Sequence, residues 1–473
     1  MKTCKYLLLS IMLCGQLSCN VSKDIALPDM NLPASFRTNQ NNSDTAVSLM
    51  PWQSFFHDDT LRVLIAEGLK HNNDLQVALK NIESARLLLR QAKLGNIPAV
   101  STGITGSLDR PSDNSLNGLS LSQELNETHI EDYTASVYLS WEADIWGKIR
   151  SQKSAALAVY LSSEEARRTL QTEIISEIAK GYYNLILLDT QLAIAKKNVS
   201  LLDSTLIITS LQYQAGQVTS LAAQQVEAQK LSAELLVPQF EQSAAVQENE
   251  LSVLIGRIPQ AITRSSSLYS DNFPDQMPTG IPANILQNRP DVRFAALEVN
   301  KSNADVGYAK ANLYPSFTIT AQAGLDAFKA SNWFTIPASL FGAVTGSVLQ
   351  PIFQQKKLRT QYDVAKIKRE QQVIKFRQAV LVAVGEVSNA LVSINKLQLQ
   401  TGIANSRTNV LHRATDNAQL LFKNGMASYL EVIDAESNVL KSELESASIT
   451  NQRLGATIDL YRSLGGGWNE TIK

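Results

Sequence analysis

Apolar residues recur at helical spacing along most of this chain and switch to strict alternation in four short stretches. From Asp59 onward, Leu61, Leu64, Ile65, Leu69, Leu75, Leu79 and Ile82 predict a long first helix that ends near Pro98, with a break at residues 71–73 (HNN). Beyond it, Tyr133, Ala135, Val137, Leu139 and Trp141 alternate with Thr134, Ser136, Tyr138 and Ser140. Phe317, Ile319, Ala321, Ala323 and Leu325 alternate with polar or small residues in the same way, and weaker alternation runs through 100–108 and 340–349. Strands are therefore expected at about 98–110, 132–142, 315–327 and 338–350. Their length of about ten residues is what a tilted membrane strand requires. Taken alone, the same pattern also fits soluble hairpins with one solvated face.

After the second strand the period returns to that of a helix. Leu170, Ile174, Ile178, Tyr182, Leu185, Leu188, Leu192, Ala195, Val199, Leu202 and Leu206 form one continuous stripe. With no proline between Lys148 and Tyr213, a helix through this region would reach about 100 Å at 1.5 Å per residue. Gly216 is a natural stop, and a helix resumes at Ser220 and runs to about Ile255, before Gly256 and Pro259. The second half has its own stripe, Val380, Val384, Val387, Leu391 and Ile394. No run of 18 consecutive apolar residues occurs after the N-terminal segment, so no transmembrane helix is expected. Helices this long also fit a coiled-coil rod or a spectrin-like scaffold.

The order of elements occurs twice. Residues 211–229 (LQYQAGQVTSLAAQQVEAQ) align with 420–438 (LLFKNGMASYLEVIDAESN) at an offset of 209, matching Leu211 with Leu420, Gly216 with Gly425, Leu221 with Leu430 and Glu227 with Glu436. Arg150 and Arg359 stand at the same offset, while Ile97-Pro98 and Tyr314-Pro315 open the strand pairs at an offset of 217. Two structural repeats follow, 59–262 and 263–473, each reading helix, strand, strand, very long helix, turn, helix. Two hairpins set between long helices leave open sheet edges, and four strands are too few to close a barrel. Closure needs several copies of the chain, which predicts a homo-oligomeric barrel extended by a helical tube.

Composition changes this picture mainly at the N-terminus. All three cysteines of the 473 residues fall within the first nineteen positions, so no disulfide framework, zinc cluster or thiol nucleophile is available afterwards. Lys2 and Lys5, the apolar run 6–13 and the small residue Ser18 before Cys19 read as a secretory signal over residues 1–18. Its end resembles a bacterial lipoprotein signal, in which Cys19 would carry covalent lipid as the mature N-terminus. The lipoprotein pattern favours Leu three positions before the cysteine, where this chain has Gln16, and an ordinary cleaved signal remains open. Residues 19–58 then form an extended arm, polar and without apolar period over 20–50. The 43 Lys plus Arg against 44 Asp plus Glu argue against a nucleic-acid partner. Only 22 Gly and 14 Pro in this length agree with long uninterrupted helices.

Residues 52–61 (WQSFFHDDTL), 73–75 (NDL) with Ala85-Arg86, 140–150 (SWEADIWGKIR), 213–216 (YQAG), 254–259 (LIGRIP), 281–293 (IPANILQNRPDVR) and 464–468 (LGGGW) occur in one order. In these motifs the chain resembles the TolC family of outer-membrane efflux proteins, in particular its lipidated OprM/NodT-like branch. The resemblance implies a mainly α protein with a membrane β-barrel: a homotrimer whose four strands per chain close a twelve-stranded barrel above a periplasmic α-helical barrel. It also implies an exit duct joined through a periplasmic adaptor to an inner-membrane transporter of the RND type, passing small molecules such as drugs without chemistry of its own. The turns formed by Ala215, Gly216, Gln217, Val218, Thr219 and Ser220 and by Asn424, Gly425, Met426, Ala427, Ser428 and Tyr429 correspond to the adaptor-contact turns of the family. Asp416, Gln419, Phe422 and Lys423 lie where the family constricts the tube, although relatives often carry Asp where this chain has Gln419.

Enzymatic readings find little support. His57, His71, His129 and His412 are scattered without metal-ligand spacing, and neither a nucleophile elbow nor a Walker loop is present. The triplet 465–467 (GGG) reads as a helix breaker, and Glu431, Asp434 and Glu436 read as a solvated acidic face. No cofactor is expected beyond the lipid on Cys19. A protein-secretion duct and a lipid-anchored periplasmic rod without a pore are the alternatives.

Overall fold

The computed structural model describes residues 21–33, 35–36, 50–264, 267–268, 282 and 285–468. Cys19 and the polar stretch 39–43 lie outside the described residues. The longer elements, in chain order, are α1 (Asp59–His71), α2 (Asn73–Lys93), β1 (Ala99–Asp109), β2 (Ile130–Glu142), α3 (Lys148–Gln214), α4 (Ser220–Glu234) and α5 (Leu236–Leu254). The second half continues with α6 (Pro290–Ala311), β3 (Ser316–Ala327), β4 (Leu340–Leu349), α7 (Lys357–Lys423) and α8 (Tyr429–Ser463). Both α3 and α7 are 67 residues long, and their bounds differ by 209 at each end.

Local chemistry sets the boundaries. Asp58 caps α1 by accepting from the Thr60 and Leu61 amides at 2.7 and 3.0 Å. Asn72 makes the break between α1 and α2: its amide donates to the Gly68 carbonyl while its Oδ1 accepts from the Leu75 amide at 2.9 Å. The helix expected from Ser220 to about Ile255 is interrupted at Leu235. Pro238 supplies the reason, because it has no amide hydrogen to donate to the carbonyl four residues earlier. Contrary to the expectation drawn from consecutive apolar residues, α7 contains an 18-residue window of mean hydropathy 1.3, long and apolar enough to cross a membrane. Phe376, Val380, Ala383, Val387 and Ala390 are buried along the same helix while Ile374, Leu381 and Val382 are exposed, so packing between helices accounts for only part of its apolar character.

The chain forms two compact units, and each draws on both sequence repeats. The first comprises residues up to Leu27, 83–161 and 296–374, and holds a single four-stranded antiparallel sheet in the order β1-β2-β3-β4. Ile25 of the N-terminal arm is held to α6, where the Asn303 side chain accepts from the Ile25 amide and donates to the Ile25 carbonyl at 3.1 and 3.0 Å. The second unit comprises 28–82, 162–295 and 375–473, and contains the main apolar core. There the middle of α3 is enclosed on nearly every side, with Ile174, Ile178, Tyr182 and Leu185 at 2% exposure or less. Each such side chain contributes about 1.5–3 kcal/mol by burial. Phe55 stacks on Tyr461 at 4.0 Å between ring centres, and Tyr182 donates to Asp58 at 2.8 Å, so the motif at 52–61 closes this core.

Candidate functional site

The sheet has two chemically distinct faces. Its register aligns Val100, Leu139, Ala321 and Val344 in one row and Ile104, Ala135, Leu325 and Leu340 in another, all on one face. The opposite face carries rows such as Ser101, Tyr138, Gln322 and Ala343, or Thr105, Thr134 and Asp326. Gln322 donates to Ser136 at 3.1 Å across the polar side. On the apolar side Ile104 is 75% exposed and Val344 78% exposed, an arrangement that water disfavours and lipid does not. Gly324 is required within this sheet, since a Cβ there would lie 2.1 Å from the Ala135 carbonyl oxygen. β1 and β4 each pair on one side only, leaving both edges of the sheet open.

Short junctions join these strands to the long helices. Asp144 accepts from the Ile149 and Arg150 amides at 2.9 Å and so opens α3. Trp146 donates to the Pro315 carbonyl at 2.8 Å and stacks on Tyr314. The motif at 140–150 is thus the hinge by which a strand becomes a helix.

The two turns that end α3 and α7 are built alike. Gly216 (φ +73°) donates to Tyr213, and Gln217 to Gln212; Gly425 (φ +71°) donates to Phe422, and Met426 to Leu421. Each pair closes a Schellman motif that needs a left-handed residue at the glycine. Ala215, Gln217, Thr219, Ser220, Asn424, Met426 and Ser428 are exposed, and Val218, Ala427 and Tyr429 partly so. Tyr429 donates to Gln225 at 2.5 Å, tying the start of α8 to α4. Ser428 donates its amide to Glu431 at 2.6 Å, a cap for α8.

The four residues expected at the constriction do not present one common surface. Asp416 and Lys423 are exposed, Gln419 is partly buried, and Phe422 is 4% exposed within the helix packing. Gln419 donates to Glu436 Oε1 at 3.0 Å, and Thr205 of α3 donates to the same oxygen at 3.3 Å. The reading of Glu436 as part of a solvated acidic face is therefore wrong. Its side chain is 1% exposed, its Oε2 has no hydrogen-bond partner among the described residues, and burial raises its pKa above the ordinary 4.5. Glu431 and Asp434 remain exposed. The spacing of the acids gave no warning, because the residue that helps enclose Glu436 lies on α3.

Arg289, in the motif at 281–293, is a further buried group that the sequence left without a role. It is 4% exposed, forms a bidentate pair with Asp291 at 2.9 and 2.6 Å, reaches Glu386 at 2.7 Å and donates to the Ser463 carbonyl at 3.0 Å. Trp468 donates to the Asn288 carbonyl at 2.8 Å, so this motif and the one at 464–468 form one structural lock. No group of His, Cys, Asp or Glu side chains suited to a metal ion occurs among the described residues.

An exposed sheet with one apolar and one polar face, carried between very long helices, defines an outer-membrane channel protein. The sequence profile of the outer membrane efflux protein family matches residues 64–257 and 281–466, and the chain belongs to that family. It is similar to the toluene efflux pump outer membrane protein TtgC of Pseudomonas putida, 28% identical over 439 residues, covering 91% of this chain and 87% of TtgC. It is similar to the cation efflux system protein CusC of Escherichia coli O6:H1, 27% identical over 477 residues, covering 99% of this chain and all of CusC. A solved CusC structure superposes with a TM-score of 0.82 at 26% identity, covering 95% of this chain and 100% of that one. The third relative, a probable outer membrane lipoprotein of Salmonella typhimurium named SilC, is 26% identical and covers 94% of each chain.

Proposed function

We propose that this chain assembles as a homotrimer in which β4 of one copy pairs with β1 of the next, closing a twelve-stranded barrel whose polar face lines the lumen. The observation that carries this reading is the two-faced sheet with both edges open, which lipid would tolerate only after closure. The barrel is the exit duct of a tripartite efflux pump, conducting solutes that an energised inner-membrane transporter, of the RND type, has already moved. The adaptor meets the turns at Ala215–Ser220 and Asn424–Tyr429, whose exposed backbone and paired construction suit a repeated docking tip. Covalent lipid on Cys19 anchors the mature N-terminus, a reading supported by the lipoprotein relative. The cargo is a small molecule, since relatives of this length serve efflux of toluene in one case and of cations in another.

Purified protein in a planar bilayer tests the duct. Stepwise conductance from a heat-modifiable trimer is the expected result, and a detergent-free soluble monomer without conductance would overturn it. Co-purification of an adaptor, abolished by replacing residues 215–220 and 424–429 with Gly-Ser linkers while the trimer persists, checks the docking tip.

A further inference from the structure

The register places the start of β1, the end of β2, the start of β3 and the end of β4 at one end of the sheet: Ala99 pairs with Ser140, Glu142 with Thr318, and Ser316 with Leu349. All four helical connections of the first unit leave from that end, and they are strongly cationic. Residues 83–98, 143–161, 296–315 and 350–374 hold fourteen Lys or Arg against six Asp or Glu. The strands and the loops at the opposite end, 99–142 and 316–349, hold two against eight. This segregation within a chain of nearly zero net charge gives the sheet a positive and a negative end.

The cationic end is densest after β4, where residues 356–369 include six Lys or Arg and one Asp. Lys356, Lys357 and Arg359 are exposed, as are Arg90 and Lys93 at the end of α2. Immediately before them Ile352 is 96% exposed and Phe353 81% exposed, continuing the apolar side chains Val344 and Val348 of the strand. Apolar side chains followed by a row of cations form the profile of a membrane interface, with the apolar groups at acyl depth and the cations at the phosphates.

The backbone at this point supplies an independent argument. Lys356 stands at φ +62°, with Gln355 at +51°, in a left-handed region that glycine adopts freely and that L residues other than Asn and Asp avoid. The equivalent position of the first repeat, 209 residues earlier, is Gly147 at φ +75°. The same junction is thus made once with the residue that suits it and once with a strained lysine, and strain of this kind persists where the side chain has a use. Lys356 is not part of any ion pair among the described residues.

We propose that the helix-bearing end of the sheet, centred on Lys356, Lys357 and Arg359 with Arg90 and Lys93, is a docking surface for the headgroups of anionic phospholipid in the leaflet nearest the helices. This inference rests on the sheet lying in the membrane. It adds a lipid preference that fixes the depth of the sheet.

The test uses the full-length protein purified in neutral detergent and titrated with short-chain phosphatidylglycerol or phosphatidylcholine, bound lipid being counted by native mass spectrometry. Phosphatidylglycerol should bind at least tenfold more tightly, and an excess of glycerol 3-phosphate should not displace it, which separates a lipid site from a free-phosphate site. Lys356→Gly, which removes both the charge and the strain, should reduce that preference severalfold while keeping or raising thermal stability. Lys356→Gly with Lys357→Gln and Arg359→Gln should abolish it. Both variants should keep wild-type conductance in a neutral planar bilayer, so failure of the lipid site and failure of the duct are read separately. Equal binding of the two lipids by the wild type, displacement by glycerol 3-phosphate, or an unchanged preference in the triple variant would overturn the proposal.

Discussion

Gln419 of α7 donates to Glu436 of α8 at 3.0 Å, one of two hydrogen bonds that meet a carboxyl buried a few turns from the ends of the long helices. Thr205 brings α3 to the same oxygen, so one side chain joins three helices. Burial dominates over these two hydrogen bonds and leaves the Glu436 pKa above 4.5. The folded chain then binds the proton more tightly than the unfolded chain does. The contribution of Glu436 to stability is full below about 4.5 and is lost as the pH rises through the folded-state value. Glu436→Gln should therefore be more stable than wild type at pH 8, by about 1 kcal/mol, and should lose that advantage at pH 4. Thermal denaturation of the detergent-solubilised protein across this pH range measures it, and a wild type that gains stability from pH 5 to 8 relative to the variant would contradict it.

Gly425 and Gly216 have open space where a Cβ would stand, so replacing either tests the backbone alone. At φ +71° and +73°, alanine should cost about 1 kcal/mol at each position, and asparagine less. Because the two glycines close separate turns, Gly216→Ala and Gly425→Ala together should cost close to the sum of the single effects. Denaturation midpoints of the single and double variants check this, with adaptor affinity as a second reading on the same proteins.

Arg289 is a buried charge held by two carboxylates and a backbone carbonyl. Arg289→Ala would leave Asp291 without its bidentate partner, Glu386 with Arg462 alone at 3.5 Å, and the Ser463 carbonyl without its donor. Both carboxylates are about one-third exposed, so water relieves part of the penalty. A loss of about 2–4 kcal/mol is expected, at the lower side of what breaking a buried ion pair costs. Arg289→Lys should recover the charge but not the bidentate geometry, and so regain only part of the stability. Proteolysis of the C-terminal segment after 463 would report the same loss locally.

The fold was legible where one period governs a long stretch. Leu170 to Leu206 could only be one helix, and the 209-residue offset read from Gly216 and Gly425 recurs in the bounds of α3 and α7. Alternation at Tyr133 to Trp141 showed the two faces of β2 directly, because successive strand side chains point to opposite sides. The features the sequence hid depend on distant contacts or on the backbone. Glu436 looked solvated because Thr205 is 231 positions away, and Arg289 looked like one charge among many until Glu386 and Ser463 met it. Lys356 could not be seen to be strained, since only the φ angle distinguishes it from its neighbour Lys357. The pause at Leu235 was readable from Pro238, three residues on, but the apolar period continues across it.

We propose Asp416 as the constriction residue to test first, because it is one of the two exposed members of the four expected there. Spacings of three and four place it with Gln419 and Lys423 on one stripe of α7, but only Asp416 and Lys423 are exposed. Gln419 is turned to Glu436, and Phe422 is packed away. In the proposed homotrimer, Asp416 carboxylates facing the lumen would repel one another and bind cations, so on that proposal their removal should change both pore size and selectivity. Asp416→Ala is expected to raise single-channel conductance in a planar bilayer and to lower the preference for cations. Gln419→Ala should leave conductance near the wild-type value while costing about 1–2 kcal/mol of stability, since it takes a hydrogen bond from a buried carboxylate. That cost should be larger at pH 8 than at pH 4, where Glu436 is protonated in both proteins. Unchanged conductance in Asp416→Ala would remove that residue from the gate, and a rise produced by Gln419→Ala alone would move the constriction to the contact between α7 and α8.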